Sequence, residues 1–217
     1  MLMTSDQYKQ AFGLSESPNA ERAKNALKVS LEIRKFEIEL YWTRAAYFWA
    51  FLAVMLGAYF ALLAEKEPSE ERAEARLTVL CLGIIFSTAW YFVNRASKYW
   101  QENWENHLDL LENNENGPLY KTILKAKDLS FWRLSGPYDF SVSKLNQLLS
   151  LIVVVLFVLL LGRTLLRYYK VGFPLDPFVN IVLVLTLLAV WALWKYGRTR
   201  QAAVKEVQAE MRETKIL

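Results

Sequence analysis

Across 217 residues the chain has one cysteine and one histidine, and no Asp, Glu or Lys at the centre of any long apolar run. The lone Cys81 excludes an internal disulfide and a cysteine-based metal cluster. There is no His/Cys/carboxylate ligand set, no glycine-rich phosphate loop and no nucleophile–base pair that spacing would identify. The lack of mid-span ionisable groups argues against a proton-coupled carrier, since such groups mark pumps and transporters. A net charge of +4 is too small to point to nucleic acid. The first apolar run begins about forty residues in, so no cleavable leader is expected.

What the chain has in quantity is apolar sequence: 54% of residues, with 8 tryptophans, against 22% charged residues. Those residues must be sorted into blocks. A hydrocarbon core of ~30 Å takes about 20 apolar residues, and four runs qualify. They are "AAYFWAFLAVMLGAYFALLA" (Ala45 to Ala64), "LTVLCLGIIFSTAWYFV" (Leu77 to Val93), "LLSLIVVVLFVLLLG" (Leu148 to Gly162, extended by "RTLLRYY") and "FVNIVLVLTLLAVWALW" (Phe178 to Trp194). Of the 26 Lys and Arg residues, 20 lie before the first run, between the second and third, or after the fourth. The two short loops hold 6, and the first of them, "EKEPSEERAEAR", carries five glutamates. By the positive-inside rule both termini face the cytoplasm.

The segment before the first span is ambiguous. Leu27, Val29, Leu31 and Ile33 alternate with polar residues as a strand would, while Ala26, Val29, Ile33, Phe36 and Leu40 keep the 3-4 spacing of a helix seam. A strand needs a partner for its backbone groups, and the only other alternating stretch is "YDFSVS", Tyr138 to Ser143. Helix is therefore favoured, starting near Ser17–Pro18 as cap and first-turn proline. A second long helix can begin at Ser69, with Glu70 and Glu71 in its first turn, and stop at "NNENGP", where Gly117 suits a left-handed cap.

The expected packing and assembly faces follow from register. Val29, Ile33, Phe36 and Leu40 on the first helix match a stripe of Trp90, Val93, Ser97, Trp100, Trp104, Leu108 and Leu111 on the second. Within the bilayer Ala46, Ala50, Ala53, Gly57, Ala61 and Ala64 make a small-residue face, and the second span offers Gly83 and Ser87. Tyr41, Trp42, Tyr47, Phe48, Trp49, Trp90 and Trp194 read as a head-group belt.

The expected division is as follows: 1–17 loosely ordered; 18–113 a long helical hairpin with a cytoplasmic stalk and spans at about 45–64 and 77–95; 114–144 a cytoplasmic connector; 145–197 a second transmembrane hairpin with spans at about 146–168 and 177–196; 198–217 a cytoplasmic helix. Within the connector, "LYKTILKAK" suits either a basic helix on the anionic leaflet or a solvated linker, and "FWRLSGPYDF" an interfacial loop. Other chemistry is sparse. His107 beside the Trp104 stripe, Cys81 in a span, and Glu37 and Glu39 among Arg34 and Lys35 read as packed or solvated groups rather than reactive ones. Ser87, Thr88, Asn180 and Thr186 suit hydrogen bonds between helices better than the lining of a pore, and Arg163 and Arg167 can snorkel.

The blocks "RKFEIELYWTRAAYFWAF" (Arg34 to Phe51) and "NRASKYWQENWENHLDLLE" (Asn94 to Glu112) resemble the bacterial RipA-like octameric membrane proteins. That resemblance implies a homo-oligomer of the bacterial cytoplasmic (inner) membrane with a helical cytoplasmic part, linked in some members to growth inside host cells. It brings no catalytic residues, and the oligomer number comes from the resemblance alone. The expected protein is all-α, multi-pass, without cofactor and non-enzymatic. Its partners would be copies of itself, membrane lipids and an unidentified cytoplasmic protein held on the helical scaffold; the alternative is an oligomeric ion-conducting pore.

Overall fold

The computed structural model describes residues 5–14, 20–64, 69–112, 117–119, 122, 140–171 and 177–197. Every regular element among them is an α-helix: α1 (Ser5–Ala11), α2 (Ala20–Ala64), α3 (Glu70–Leu111), α4 (Val142–Val171) and α5 (Pro177–Tyr196). The alternating stretch from Leu27 to Leu40 lies inside α2, so the helical reading holds, and no strand occurs among the described residues. Four helices, α2 to α5, are long and apolar enough to cross a membrane. With 45 and 42 residues, α2 and α3 each rise roughly 60–70 Å, about twice the thickness of a hydrocarbon core.

Local chemistry sets the ends. Ser69 caps α3 as expected, its Oγ accepting the Arg72 N–H at 3.4 Å. Ser141 does the same for α4 through the Lys144 N–H at 3.4 Å, a start a few residues earlier than the apolar run suggests. Gly117 takes the left-handed conformation, φ 70°. The N-terminal residues differ from expectation. Instead of loose chain they hold α1, closed by a turn at Gly13 (φ 73°) in which the Leu14 N–H reaches the Lys9 carbonyl at 2.7 Å. A seven-residue helix is too short to reveal itself by periodicity. Apart from Leu119, Thr122 and Phe140, the stretches Leu119 to Lys127 and Phe131 to Phe140 fall outside the described residues, as does the expected helix at 198–217.

The chain divides into two compact units. In the described part of the first lie α1, α2 as far as Ile38, and α3 from Trp100 onward. Its core is Leu27 of α2 with Leu108 and Leu111 of α3, and Tyr8, Phe12, Leu14, Ala26 and Leu31 pack around them. Burying each such leucine stabilises by about 1.5–3 kcal/mol where the alternative is water.

The second unit holds α2 from Glu39, α3 to Tyr99, α4 and α5. Leu52 and Tyr59 of α2, Leu80, Ile84 and Trp90 of α3, and Phe157 of α4 form one cluster. Ala73 and Leu77 of α3 meet Tyr168 of α4 and Val179 of α5 in another. Between spans the apolar surface alone gives little drive, because lipid is as apolar as leucine; shape and hydrogen bonds must fix the packing. Gly83 supplies the shape. The Phe157 ring occupies the space where a Cβ on that residue would stand.

Substituting Gly83→Ala should therefore destabilise the folded protein by about 1–3 kcal/mol. The double variant Gly83→Ala/Phe157→Leu should recover part of the loss, as read from SDS-induced unfolding of purified protein in micelles. Equal stability of Gly83→Ala and wild type would overturn this account of the α3–α4 contact.

Candidate functional site

No described part of the chain has the outline of a catalytic centre. No group of three or more His, Cys, Asp or Glu residues among the described residues could hold a metal ion. What the structure offers are three arrangements: a buried polar cluster, an aromatic clasp, and helix faces left uncovered.

The polar cluster joins three helices of the second unit. Asn146 of α4 donates through Nδ2 to the Tyr41 hydroxyl of α2 at 2.6 Å and to Oδ1 of Asn94 of α3 at 3.3 Å. Asn94 Nδ2 donates in turn to the Ser150 hydroxyl at 3.3 Å and to the Asn146 carbonyl at 3.4 Å. All four side chains are buried, Ser150 completely. One turn further along α3, Ser97 accepts from Arg44 at 3.3 Å. Such bonds are worth about 0.6–2 kcal/mol each in a membrane protein, and they fix rotation and depth as well as energy. The composition of Asn94 and Asn146 is the signal that could have found them: two amides at the rims of otherwise apolar spans.

The clasp lies in the first unit. Tyr8 of α1 and Nδ1 of His107 of α3 stand 2.9 Å apart. Phe12 and Trp104 flank the imidazole, with ring centroids at 6.2 and 5.6 Å. Burial pushes the Tyr8 phenol up to about 12 and holds the His107 imidazole below its usual range. Both shifts keep the pair uncharged, a phenol against a neutral imidazole, and the ring tautomer sets which of the two donates. His107 thus has the packed role expected of it, but Tyr8 and Phe12 were not foreseen as its partners.

Beside the clasp is an open groove of about 730 Å³, lined chiefly by Phe12, Ala26, Val29, Ile33 and Trp104, with Glu21 and Arg22 among its polar lining. This explains the placement of the expected seam. Val29 and Phe36 are 51% and 57% exposed, and Ile33 and Leu40 are half-buried. The side of α2 turned inward is Ala23, Leu27 and Ser30, followed by Arg34, which pairs with Glu105 of α3 at 3.5 Å. At 100° per residue Val29 sits about 200° round from Leu27. Both faces of this helix keep a 3-4 spacing, so spacing alone does not select the one that packs within the chain. On α3, Leu108 and Leu111 are buried, Trp104 is half-buried and Trp100 is exposed.

In the second unit Gly83 and Ser87 are buried, with the Ser87 hydroxyl bonded back to the Ile84 carbonyl at 3.2 Å. Gly57 and Ala61 are exposed, and so is the rest of their stripe, Ala46, Ala50, Ala53 and Ala64. A Cβ at Gly57 would meet nothing. Of the residues expected in the belt, Trp42, Tyr47, Trp49 and Trp194 are exposed. Tyr41 and Trp90 are not. At 4% and 1% exposure they turn inward, Tyr41 to the polar cluster and Trp90 onto the α3 face that carries Leu80, Ile84 and Ser87 at helical spacing. The Trp90 indole N–H has no hydrogen-bond partner among the described residues, and its ring meets Trp49 edge-on at 5.9 Å.

The clasp makes the docking of α1 sensitive to pH. Because His107 binds its proton less readily when α1 is docked, stability is full above about pH 6.5 and falls as pH drops below that value. Amide exchange in residues 5–14 should quicken between pH 7.5 and 5.5. Tyr8→Phe, which removes one hydrogen bond of about 1 kcal/mol, should quicken it roughly fivefold at pH 7.5. Exchange rates corrected for intrinsic chemistry that stay flat with pH would remove the clasp.

A family model for octameric membrane proteins, 8xMP, matches residues 24–166. No curated protein and no solved structure matches the chain. The matched span takes in nearly all of α2, the whole of α3 and most of α4, and so includes both the uncovered stripe and the polar cluster. Covering well over half of the sequence, it shows that this chain belongs to the octameric membrane protein family.

Proposed function

We propose that this chain is a non-enzymatic scaffold of the bacterial inner membrane. Copies assemble through their helices and present the first unit, with both termini, to the cytoplasm. Family membership gives the homo-oligomeric membrane protein; the scaffold role, the partner and the orientation are this proposal's own. One observation carries it: α2 leaves its whole small-residue stripe, from Ala46 to Ala64, uncovered in the single chain. A stripe of that kind lets a second backbone approach closely in lipid, and Gly57 and Ala61 lie within it. The orientation rests on the distribution of Lys and Arg. Membrane lipids complete the surroundings, with Trp42, Tyr47, Trp49 and Trp194 at head-group depth.

The competing reading, an ion-conducting pore on the ring axis, needs a hydrated lining. Among the described residues the exposed side chains midway along the apolar parts of α2, α4 and α5 are aliphatic, aromatic or small, as with Phe60, Leu159 and Leu185. The same surfaces suit lipid and neighbouring helices.

Detergent-purified protein should run as one large homo-oligomer in native mass spectrometry. Gly57→Leu/Ala61→Leu should shift it to smaller species with helicity unchanged, and reconstituted wild type should show no conductance in planar bilayers. A monomeric wild type would end the assembly reading, and reproducible unitary currents would replace the scaffold with the pore.

A further inference from the structure

We propose that the aromatic flank of the first unit, Val29, Ile33 and Phe36 of α2 with Trp100 and Trp104 of α3, receives a helix of a second copy of this chain. The inference rests on the assembly reading above and names the surface that reading leaves open outside the spans.

The two flanks of the α2–α3 pair in this unit differ in chemistry. On α2, Lys24, Lys28 and Lys35 recur at spacings that keep them within about 40° of one another, and on α3 Glu102, Glu105 and Asp109 lie within about 60°. The Arg34–Glu105 ion pair, 3.5 Å, runs along that side of the seam. This flank is a solvated charged surface of the ordinary kind. On the other flank the groove has Glu21 and Arg22 at one end and Val29, Ile33 and Trp104 beyond them, with Glu32 and Glu37 at its margins, each about 40° round α2 from the nearest of Ile33 and Phe36. Phe36 lies one turn beyond Ile33, and Trp100 one turn from Trp104. Phe36 at 57% and Trp100 at 41% exposure are large side chains that a monomer in water would have reason to cover.

The chain itself shows what this flank accepts. α1 and the turn after it lay Tyr8 and Phe12 against His107, and Tyr8, Phe12 and Leu14 against Leu27, Leu108 and Leu111. A short helix with its closing turn, carrying Tyr8 and Phe12, thus already occupies one end, held by the Tyr8–His107 hydrogen bond. The groove is the continuation of that seat past α1, with Ala11 and Phe12 forming its near wall. A surface that takes one helical segment by aromatic and aliphatic contact, and continues exposed among the described residues, suits a second helix docked by anchors at three- and four-residue spacing. In a family of octamers every subunit must offer at least one face to a neighbour, and tryptophan with phenylalanine is what interface centres favour. The occupant is therefore another subunit.

The test uses the full chain, purified in detergent, with a photo-reactive benzoylphenylalanine in place of Phe36 and, separately, of Lys28. Both positions are exposed on a helix, so neither change should disturb folding. Irradiation at position 36 should give a ladder of products at multiples of the chain mass, at least tenfold above that from position 28. In parallel, Phe36→Glu/Trp100→Glu should reduce the octamer fraction at least tenfold with helicity retained, while Lys28→Glu/Lys35→Glu should leave it intact. If wild type and the Phe36→Glu/Trp100→Glu variant are equally octameric and position 36 gives no ladder, the flank is not the interface, although the oligomer itself stands. Equal ladders from positions 28 and 36 overturn the proposal too. A wild type that is monomeric at the outset removes both this inference and the reading it rests on.

Discussion

A backbone in hydrocarbon must satisfy its own hydrogen bonds, and apolar side chains gain almost nothing by leaving lipid for a neighbouring helix. Those two constraints organise the second unit. The first makes every span a continuous helix. The second hands the choice of packing partner to the few residues that are small or polar. Gly83 admits Phe157, and Asn94 and Asn146 tie α3 to α4 while the Tyr41 hydroxyl ties α2 to α4 through Asn146. The many leucines and valines of α4 and α5 fill volume around these fixed points without selecting them. An amide is costly to place in an apolar bundle without partners, so the cluster specifies one arrangement of three helices where an all-leucine contact would tolerate several.

The first unit obeys the opposite rule. Its helix segments carry Lys24, Lys28, Lys35, Glu102 and Glu105, which belong in water, and there apolar burial is the main favourable term. Its core is accordingly a compact group, Leu27, Leu108 and Leu111, closed by α1. Tyr8 and His107 add a hydrogen bond inside that group and make it responsive to protonation. One long helix, α2, therefore carries two codes: leucine burial and ion pairing before Ile38, small residues and amide partners after it.

This change of code accounts for how much was legible in the sequence. Length and apolar runs were enough for the four helices, because a continuous apolar run of span length satisfies its own backbone in lipid only as a helix, whereas barrel strands alternate. The choice of helix for residues 27–42 followed from the want of a partner strand. The face of α2 that packs within the chain was harder. Leu27 and Val29 each belong to a 3-4 series, and the deciding contacts come from Leu108, Leu111 and α1, which are distant in sequence. Tyr41 and Trp90 looked like belt residues because aromatic residues at a span's rim usually are. Their inward turn depends on Asn146 and on the apolar face shared with Leu80 and Ile84. The helix α1 gave no periodic signal, and only its aromatic partners on α3 make sense of it.

The two small-residue stripes complete the argument. On α3, Gly83 and Ser87 are consumed inside the chain, the glycine under a phenyl ring and the hydroxyl on its own helix. On α2 the longer stripe from Ala46 to Ala64 is exposed among the described residues, and a Cβ at Gly57 would meet nothing. Sequence treats the two alike, and only the fold separates them. A glycine weakens a helix by roughly 1 kcal/mol relative to alanine, so Gly57 is a local cost with no return within a single chain. The assembly proposed above for this member of an octameric family would supply that return, because a glycine lets another subunit's backbone approach to a distance that a larger side chain would forbid.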